Sequence, residues 1–285
     1  MSLPRFPFTG AAVVLTGAAS GMGEHMALQL AERGADLVLV DRDAERLADV
    51  AGRIRAGHPG VAVHTEVADL ADVDAIPALA ERVLAVQPRP TLLVNNAGIA
   101  AGGRFTDLSA AEFDTVMAIN FRAPVALTRA LLPALLGTPG SHVVNVSSLF
   151  GLIALPGQSA YSASKFALRG FSEVLRAELA PQQVGVTTVH PGGIRTRIAE
   201  TALVAASASP DQARRGKESF AKLLTFPADV AARQILDGVE RRRVRVLIGL
   251  SAKVPDLLAR VTPTGYVAVM DRLRPGAAKR RGTAS

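Results

Sequence analysis

The sequence predicts a doubly wound parallel α/β sheet in a single domain, with helices covering both faces. Three observations point there. Apolar runs of strand length alternate with helix-period segments from residue 11 to residue 249. The runs are apolar throughout, as in strands buried on both faces, so the sheet is parallel and its crossovers are right-handed. The first run ends in a glycine-rich turn that opens the first helix.

Ala11–Thr16 is the first predicted strand, followed by a helix over Gly21–Arg33. Asp36–Asp41 and a helix over Ala44–Ala56 come next, then Val61–Glu66 and a helix over Val73–Val86. Thr91–Asn95 precedes a long helix from Ser109 to Leu136, in which Pro124 and Pro133 must be kinks or ends. His142–Ser147 leads to a helix over Gln158–Leu179, and Gly185–His190 follows. Ile194 to Thr225 is helical in flavour but interrupted by SASPDQ, and reads as a lobe (194–226) over the carboxyl edge of the sheet, where such folds bind ligands. Pro227–Arg242 is the last core helix and Val244–Gly249 the last strand. Residues 1–250 thus form the catalytic unit and 251–285 a C-terminal extension, amphipathic over Ser251–Leu273.

Composition narrows the function. With 49% hydrophobic and 20% charged residues, the chain can bury a substantial core. It has no cysteine, which excludes disulfides, thiolate metal sites and a cysteine nucleophile. No His/Asp/Glu cluster suggests a metal. The start, MSLPRFPFTG, has no apolar signal core, so a cytoplasmic protein is expected. Ala130–Ser164 lacks Lys, Arg, Asp and Glu, but prolines, glycines and Asn145 divide it, so it is not a membrane span. The net charge of +7 is concentrated at the end: residues 241–285 hold eleven Lys/Arg against Asp256 and Asp271. A nucleic-acid protein would spread that charge over a docking module. A solvated, frayed tail (GAAKRRGTAS) accounts for it better, and attraction to an anionic membrane surface is the weaker alternative.

Ser148 to Lys165 carries the chemistry. Ser148 closes an apolar run, Tyr161 follows thirteen residues later, and Lys165 lies four further on along a helix, on the same face. Lowering a tyrosine pKa from about 10 to about 7 takes roughly 4 kcal/mol. One cation about 4 Å away, at an effective dielectric of about 20, supplies that much. Tyr161 beside Lys165 is therefore a candidate general acid/base near neutral pH, with Ser148 holding a substrate oxygen. A chance Tyr-x-x-x-Lys on an exposed helix is the bland alternative, and the rest of the chain argues against it.

At the other end, Thr16-Gly17-Ala18-Ala19-Ser20-Gly21-Met22-Gly23 lets the backbone approach a pyrophosphate seated on a helix N-terminus. The spacing is G-x-x-x-G-x-G, which differs from the commonest dinucleotide fingerprint. Asp41, at the end of the second strand, can accept hydrogen bonds from adenosine ribose hydroxyls and would repel a 2′-phosphate. NAD is therefore favoured over NADP, although Arg42 could turn to hold a phosphate. A helix N-cap is the alternative role for Asp41.

Together these residues resemble the short-chain dehydrogenases/reductases, with their Rossmann-type fold. The matches are TGAASGMG at 16–23, Asp69-Leu70 after strand three, Asn95-Asn96-Ala97-Gly98, Asn120, Ser148, Tyr161-x-x-x-Lys165, and Pro191-Gly192 with Thr196. The resemblance implies an NAD(P)-dependent oxidoreductase with Asn120, Ser148, Tyr161 and Lys165 as its catalytic set. It implies a cofactor held by Gly17, Ser20, Gly21, Met22, Gly23, Asp41, Arg42, Asp69, Leu70, Asn96, Ala97, Gly98, Tyr161, Lys165, Pro191, Gly192, Ile194 and Thr196. Lys165 would lower the tyrosine pKa and bind the nicotinamide ribose, and Asn120 would anchor a water relay. Ser147 is a rival to Ser148, but the spacing to Tyr161 fits the family at Ser148. His142 and His190 flank strands and read as structural.

Leu149, Phe150, Leu152, Ile153 and Leu155, with Ile194, Ile198, Leu203, Val204, Phe220, Leu223 and Leu224, suit a small hydrophobic alcohol or ketone, about half of them serving as core. Arg195 and Arg197 could serve an anionic group, but are rather expected to face solvent. The resemblance favours a homodimer or homotetramer through the helices at 109–136 and 158–179. The extension could pack on a subunit, cover the site or rest on lipid. A non-catalytic nucleotide sensor is the competing class, against which the complete four-residue set weighs.

Overall fold

The computed structural model describes residues 3–207 and 209–273. Strand β1 (Ala12–Thr16) is buried at every position and feeds helix α1 (Gly21–Glu32). Then come β2 (Asp36–Asp41), α2 (Ala44–Gly57), β3 (Val63–Val67), α3 (Ile76–Val86), β4 (Leu92–Asn95) and the two-residue strand β5 (Ala101–Gly102). Helices α4 (Ala110–Met117) and α5 (Ala123–Leu136) precede β6 (His142–Val146), α6 (Ser159–Leu179) and β7 (Gly185–Pro191). The lobe holds β8 (Ile194–Arg195), β9 (Leu203–Val204), α7 (Pro210–Ala221) and β10 (Phe226–Pro227). Helix α8 (Ala228–Glu240), β11 (Arg245–Ile248), α9 (Leu250–Val261) and α10 (Tyr266–Leu273) complete the chain.

Seven strands form one parallel sheet in the order β11-β7-β6-β4-β1-β2-β3. The two-residue periodicity of strands divides the core. Val13 and Leu15 pack with α1, α2 and α8 on one face, while Val14 packs with α3, α5 and α6 on the other. The chain winds outward from β1 to β3 and then returns through β4 on the other side of β1. Such a reversal leaves a crevice beyond the carboxyl ends of β1 and β4.

Several boundaries differ from the sequence reading for physical reasons. The edge strand β3 runs Val63–Val67, two residues later than expected at its start, because Val63 alone is buried and gives little apolar signal. Residues Val73–Ala75 are a 3₁₀ turn capped by the Asp72 side chain, so α3 starts at Ile76. The long helix divides into α4 and α5 around a π turn at Ala118–Arg122, with Pro124 in the first turn of α5, where its missing N–H costs nothing. The lobe is less helical than expected: β5 pairs with β9 and β8 with β10, and α7 is its one full helix. Among the described residues no helix is long and apolar enough to cross a membrane. The basic tail from residue 274, expected to fray, lies outside the described residues.

Candidate active site

The glycine-rich turn after β1 is shaped by close backbone approaches. Gly17 has φ +66°, and a Cβ there would lie 2.8 Å from the Cα of Ala97. Gly21 has φ +57° and would meet the Thr196 side chain at 2.9 Å. Both conformations exclude side chains and leave the N-terminus of α1 open. Ser20, its N-cap, makes no side-chain cap bond, so the first-turn N–H groups stay available to an anion. Gly23 faces inward instead, against the Gly17 carbonyl, and is a packing residue.

Asn96 ties β4 to this turn. Its backbone N–H donates to Thr16 Oγ1 (3.1 Å), and its side-chain amide donates to the carbonyls of Thr16 (3.0 Å) and Gly17 (3.1 Å). Asp41 closes the other flank by accepting from the Ala19 N–H (3.0 Å) and the Asp43 N–H (3.1 Å). The N-cap of α2 is Asp43, not Asp41, which removes the capping alternative for Asp41.

These elements border a cleft of about 270 Å³ at the carboxyl edge. It is lined by Gly17, Ser20, Gly21, Met22, Asp41, Arg42, Asp69, Leu70, Asn96, Ala97, Gly98 and Thr196 from the sequence-derived set. Gly23, Tyr161, Lys165, Pro191, Gly192 and Ile194 do not line it. Ile194 is buried in the core, and a Cβ on Gly192 would strike the Ser251 side chain. Sequence reasoning missed Asp43, Ala68, Ile99, Ile119 and Thr201, which also border the cleft, as do Ile198, assigned to the substrate, and Arg197, expected at the surface. The π turn that delivers Ile119 carries no glycine or proline to mark it. Thr196 caps the short turn Arg197–Ala199 through its hydroxyl and also borders the cleft.

At the inner end, Asn120 lies in the π turn and is fully buried. Its Oδ1 accepts from the Ile99 N–H (2.9 Å), while Nδ2 donates to the Ile99 carbonyl (3.0 Å) and Ser164 Oγ (3.1 Å). A π turn shifts the backbone pairing by one residue, a device frequent at functional sites. A Cβ on Gly98 would lie 3.1 Å from Asn120 Oδ1 and 3.2 Å from Lys165 Nζ, so this glycine makes room for both. Lys165 Nζ donates to the Val146 carbonyl (3.0 Å) and sits 5.8 Å from the centre of the Tyr161 ring. Ser148 Oγ accepts from the Phe150 N–H (3.1 Å), and its hydroxyl lies close enough to the Tyr161 phenol to favour the phenolate. Ser147 is occupied elsewhere, donating to the Lys165 carbonyl (2.9 Å).

The electrostatics correct one expectation. Burial raises the Tyr161 phenol above its ordinary value, opposed only in part by the Ser148 hydrogen bond. Burial also brings the Lys165 ammonium down to about 8. Lys165 alone therefore does not make the phenol acidic near pH 7, because burial, which disfavours the charged form, is the largest influence on both groups. Of the residues proposed to line a substrate pocket, Leu152, Ile153, Ile194 and Leu224 are core, whereas Leu223 points to solvent. Arg195 is exposed as expected, and Arg197 pairs with Glu200 (2.8 Å). Both histidines are hydrogen-bonded within the fold, and no group of potential metal ligands occurs among the described residues.

A family described as short chain dehydrogenase matches residues 11–205. The chain belongs to the short-chain dehydrogenase/reductase family. SadH of Mycobacterium tuberculosis is 40% identical over 261 residues, covering 91% of this chain and 93% of that one. Dehydrogenase/reductase SDR family member 7B of Xenopus laevis is 34% identical over 280 residues, covering 95% and 84%. A Burkholderia phymatum short-chain dehydrogenase/reductase solved with NAD superposes with a TM-score of 0.79 at 29% identity, covering 90% of this chain and 93% of that one. A Sphingobium yanoikuyae short-chain dehydrogenase solved with NADPH gives 0.74 at 30% identity, covering 93% and 97%. The chain is thus an oxidoreductase by family, with a nicotinamide nucleotide as cofactor class.

Proposed function

We propose that this enzyme interconverts an apolar secondary alcohol and its ketone, with Tyr161 as the proton-transferring group. The observation that carries this reading is the gathering of Tyr161, Lys165 and Asn120 at the inner end of the cleft, with Lys165 Nζ 5.8 Å from the Tyr161 ring and beside Gly98, and with Ser148 next to the phenol. A nicotinamide nucleotide bound in the cleft supplies or takes up the hydride. The first turn of α1 would hold its pyrophosphate, Asp41 its adenosine ribose, and Asp69 and Leu70 would flank the base. Lys165 would contact the nicotinamide ribose, and the small-residue turn at Asn96–Gly98 would leave room for the adenosine side.

In reduction, Tyr161 Oη gives its proton to the carbonyl oxygen while Ser148 Oγ–H steadies that oxygen. In oxidation the phenolate takes the proton back. The raised pKa keeps Tyr161 protonated at neutral pH, which suits the reductive direction. Asn120, locked by three hydrogen bonds, acts by positioning the π turn and its backbone groups. NAD is the favoured cofactor, since the carboxylates of Asp41 and Asp43 flank Arg42 at the adenosine end and would oppose a 2′-phosphate. The apolar side chains Leu149, Phe150, Leu155, Ile198, Leu203 and Val204, all partly exposed, favour a hydrophobic substrate. Phe166 and Val174, exposed on α6, support assembly into a homodimer or homotetramer through that helix. The test is a panel of hydrophobic secondary alcohols and ketones with NAD(H) and NADP(H), followed by nicotinamide absorbance. Turnover with apolar substrates and faster turnover with NAD(H) support the reading; no turnover of any alcohol or ketone overturns it.

A further inference from the structure

Helix α9 presents an apolar row to solvent. Leu250, Val254, Leu257 and Val261, spaced four, three and four residues apart, are 76%, 61%, 63% and 71% exposed. The opposite side of the helix fixes this orientation. Ala252 and Pro255 are buried, Ser251 Oγ accepts from the Gly193 N–H (3.2 Å), and Asp256 pairs with Arg245 on β11 and with Arg260. Leu223 is also 66% exposed, and its carbonyl lies against Gly193, whose N–H bonds Ser251 at the start of this helix. Lys253 and Arg260, both exposed and seven residues apart, line one edge.

Three occupants can be compared. The chain's own residues 274–285 carry Arg274, Lys279, Arg280 and Arg281 but no Val, Leu, Ile or Phe, so they cannot cover an apolar row. A second copy would gain on the order of 100 Å² per aliphatic side chain, short of the roughly 800 Å² per partner of a stable interface. It would also bring together two regions that each hold eleven basic residues against two acidic ones. An anionic lipid surface matches both features at once. Apolar side chains enter the headgroup boundary while Lys and Arg meet lipid phosphates and carboxylates.

We propose that α9 docks this enzyme on an anionic membrane surface through Leu250, Val254, Leu257 and Val261. The docked helix adjoins the site: α10, which follows it, clasps the loop after Ser148, where Tyr266 Oη accepts from the Ala154 N–H (2.9 Å) and donates to its carbonyl (3.2 Å). Docking does not depend on the chemistry assigned to Tyr161, so the two can fail separately.

The test is co-sedimentation of the full chain with vesicles of phosphatidylcholine, with and without about one-third phosphatidylserine. The wild type sediments with the anionic vesicles, less with the neutral ones, and less as salt rises. A Val254→Glu/Leu257→Glu variant, altered only at exposed positions, sediments about tenfold less while binding NADH and melting like the wild type. A wild type that stays in solution with anionic vesicles overturns the proposal, as does a variant that sediments equally. A variant that light scattering shows to be smaller than the wild type, with neither protein binding vesicles, would assign the row to a second copy.

Discussion

In the mechanism proposed, Tyr161 is an acid before it is a base. Its phenol is buried and raised, so in oxidation the reactive phenolate is scarce at neutral pH and becomes more abundant as pH climbs. Alcohol oxidation should accelerate from pH 6 to pH 10, approaching tenfold per unit; a flat profile would show that no phenol titrates in the rate-determining step. Its neighbour Ser148 is expected to matter for the reacting oxygen and Ser147 for the fold. Ser148→Ala should lower kcat by about 10²-fold with little change in cofactor affinity, measured by steady-state kinetics and NADH fluorescence. Ser147→Ala removes a bond to the Lys165 carbonyl and should instead lower the melting temperature. The spacing to Tyr161 singled out Ser148 in the sequence, and the bond that ties Ser147 to the Lys165 carbonyl needed the fold. The raised tyrosine pKa was not legible, because a sequence shows an i, i+4 cation but not the burial that offsets it.

At the level of elements, the turns after β1, β2 and β4 were legible because each carries residue types that their geometry demands. Gly17 and Gly21 sit at positive φ, Asp41 braces Ala19, and Asn96 ties two strands together. The π turn around Asn120 left no such mark, since Ala118–Arg122 reads as ordinary helix. The lobe was misread for the opposite reason. Its strands β8, β9 and β10 are two residues long, too short to show any periodicity. Asp41 belongs to this scale because it braces a turn and also borders the cleft. Asp41→Ala should narrow the ratio of kcat/KM with NAD to that with NADP by about tenfold and lower the melting temperature, since the Ala19 and Asp43 N–H groups lose their acceptor. A wild type that already prefers NADP would contradict the assignment.

Across the whole molecule, two buried histidines set a limit on acid stability. His142 donates through Nε2 to Thr187 Oγ1 and accepts from Arg242 at Nδ1, and burial lowers its pKa to about 3. His190 donates from Nδ1 to the Ser148 carbonyl, and burial lowers its pKa to about 4. Unfolding returns both to about 6.5, so the stability they confer is complete above that pH and is lost as pH falls toward 4 and then 3. Between pH 6.5 and 5 each withdraws about 2 kcal/mol, seen as a falling urea midpoint; an unchanged midpoint would show that they charge freely in the folded state. Their structural role was legible from their places on strands, whereas the contact between His190 and Ser148 needed the fold. The order of strands and helices was legible almost throughout, because a sheet covered on both faces leaves unbroken apolar runs. The outward row on α9 was read only as an amphipathic stripe, since periodicity does not say which face meets the core.

The central claim is that the Tyr161 hydroxyl moves the proton of the reaction. Replacing it by Tyr161→Phe leaves the ring and its edge contact with Phe150 in place and removes one oxygen. With the best alcohol and NAD, kcat should fall by 10²-fold or more while NADH affinity stays within a few-fold of wild type. Turnover by the variant comparable to that of the wild type would contradict the account.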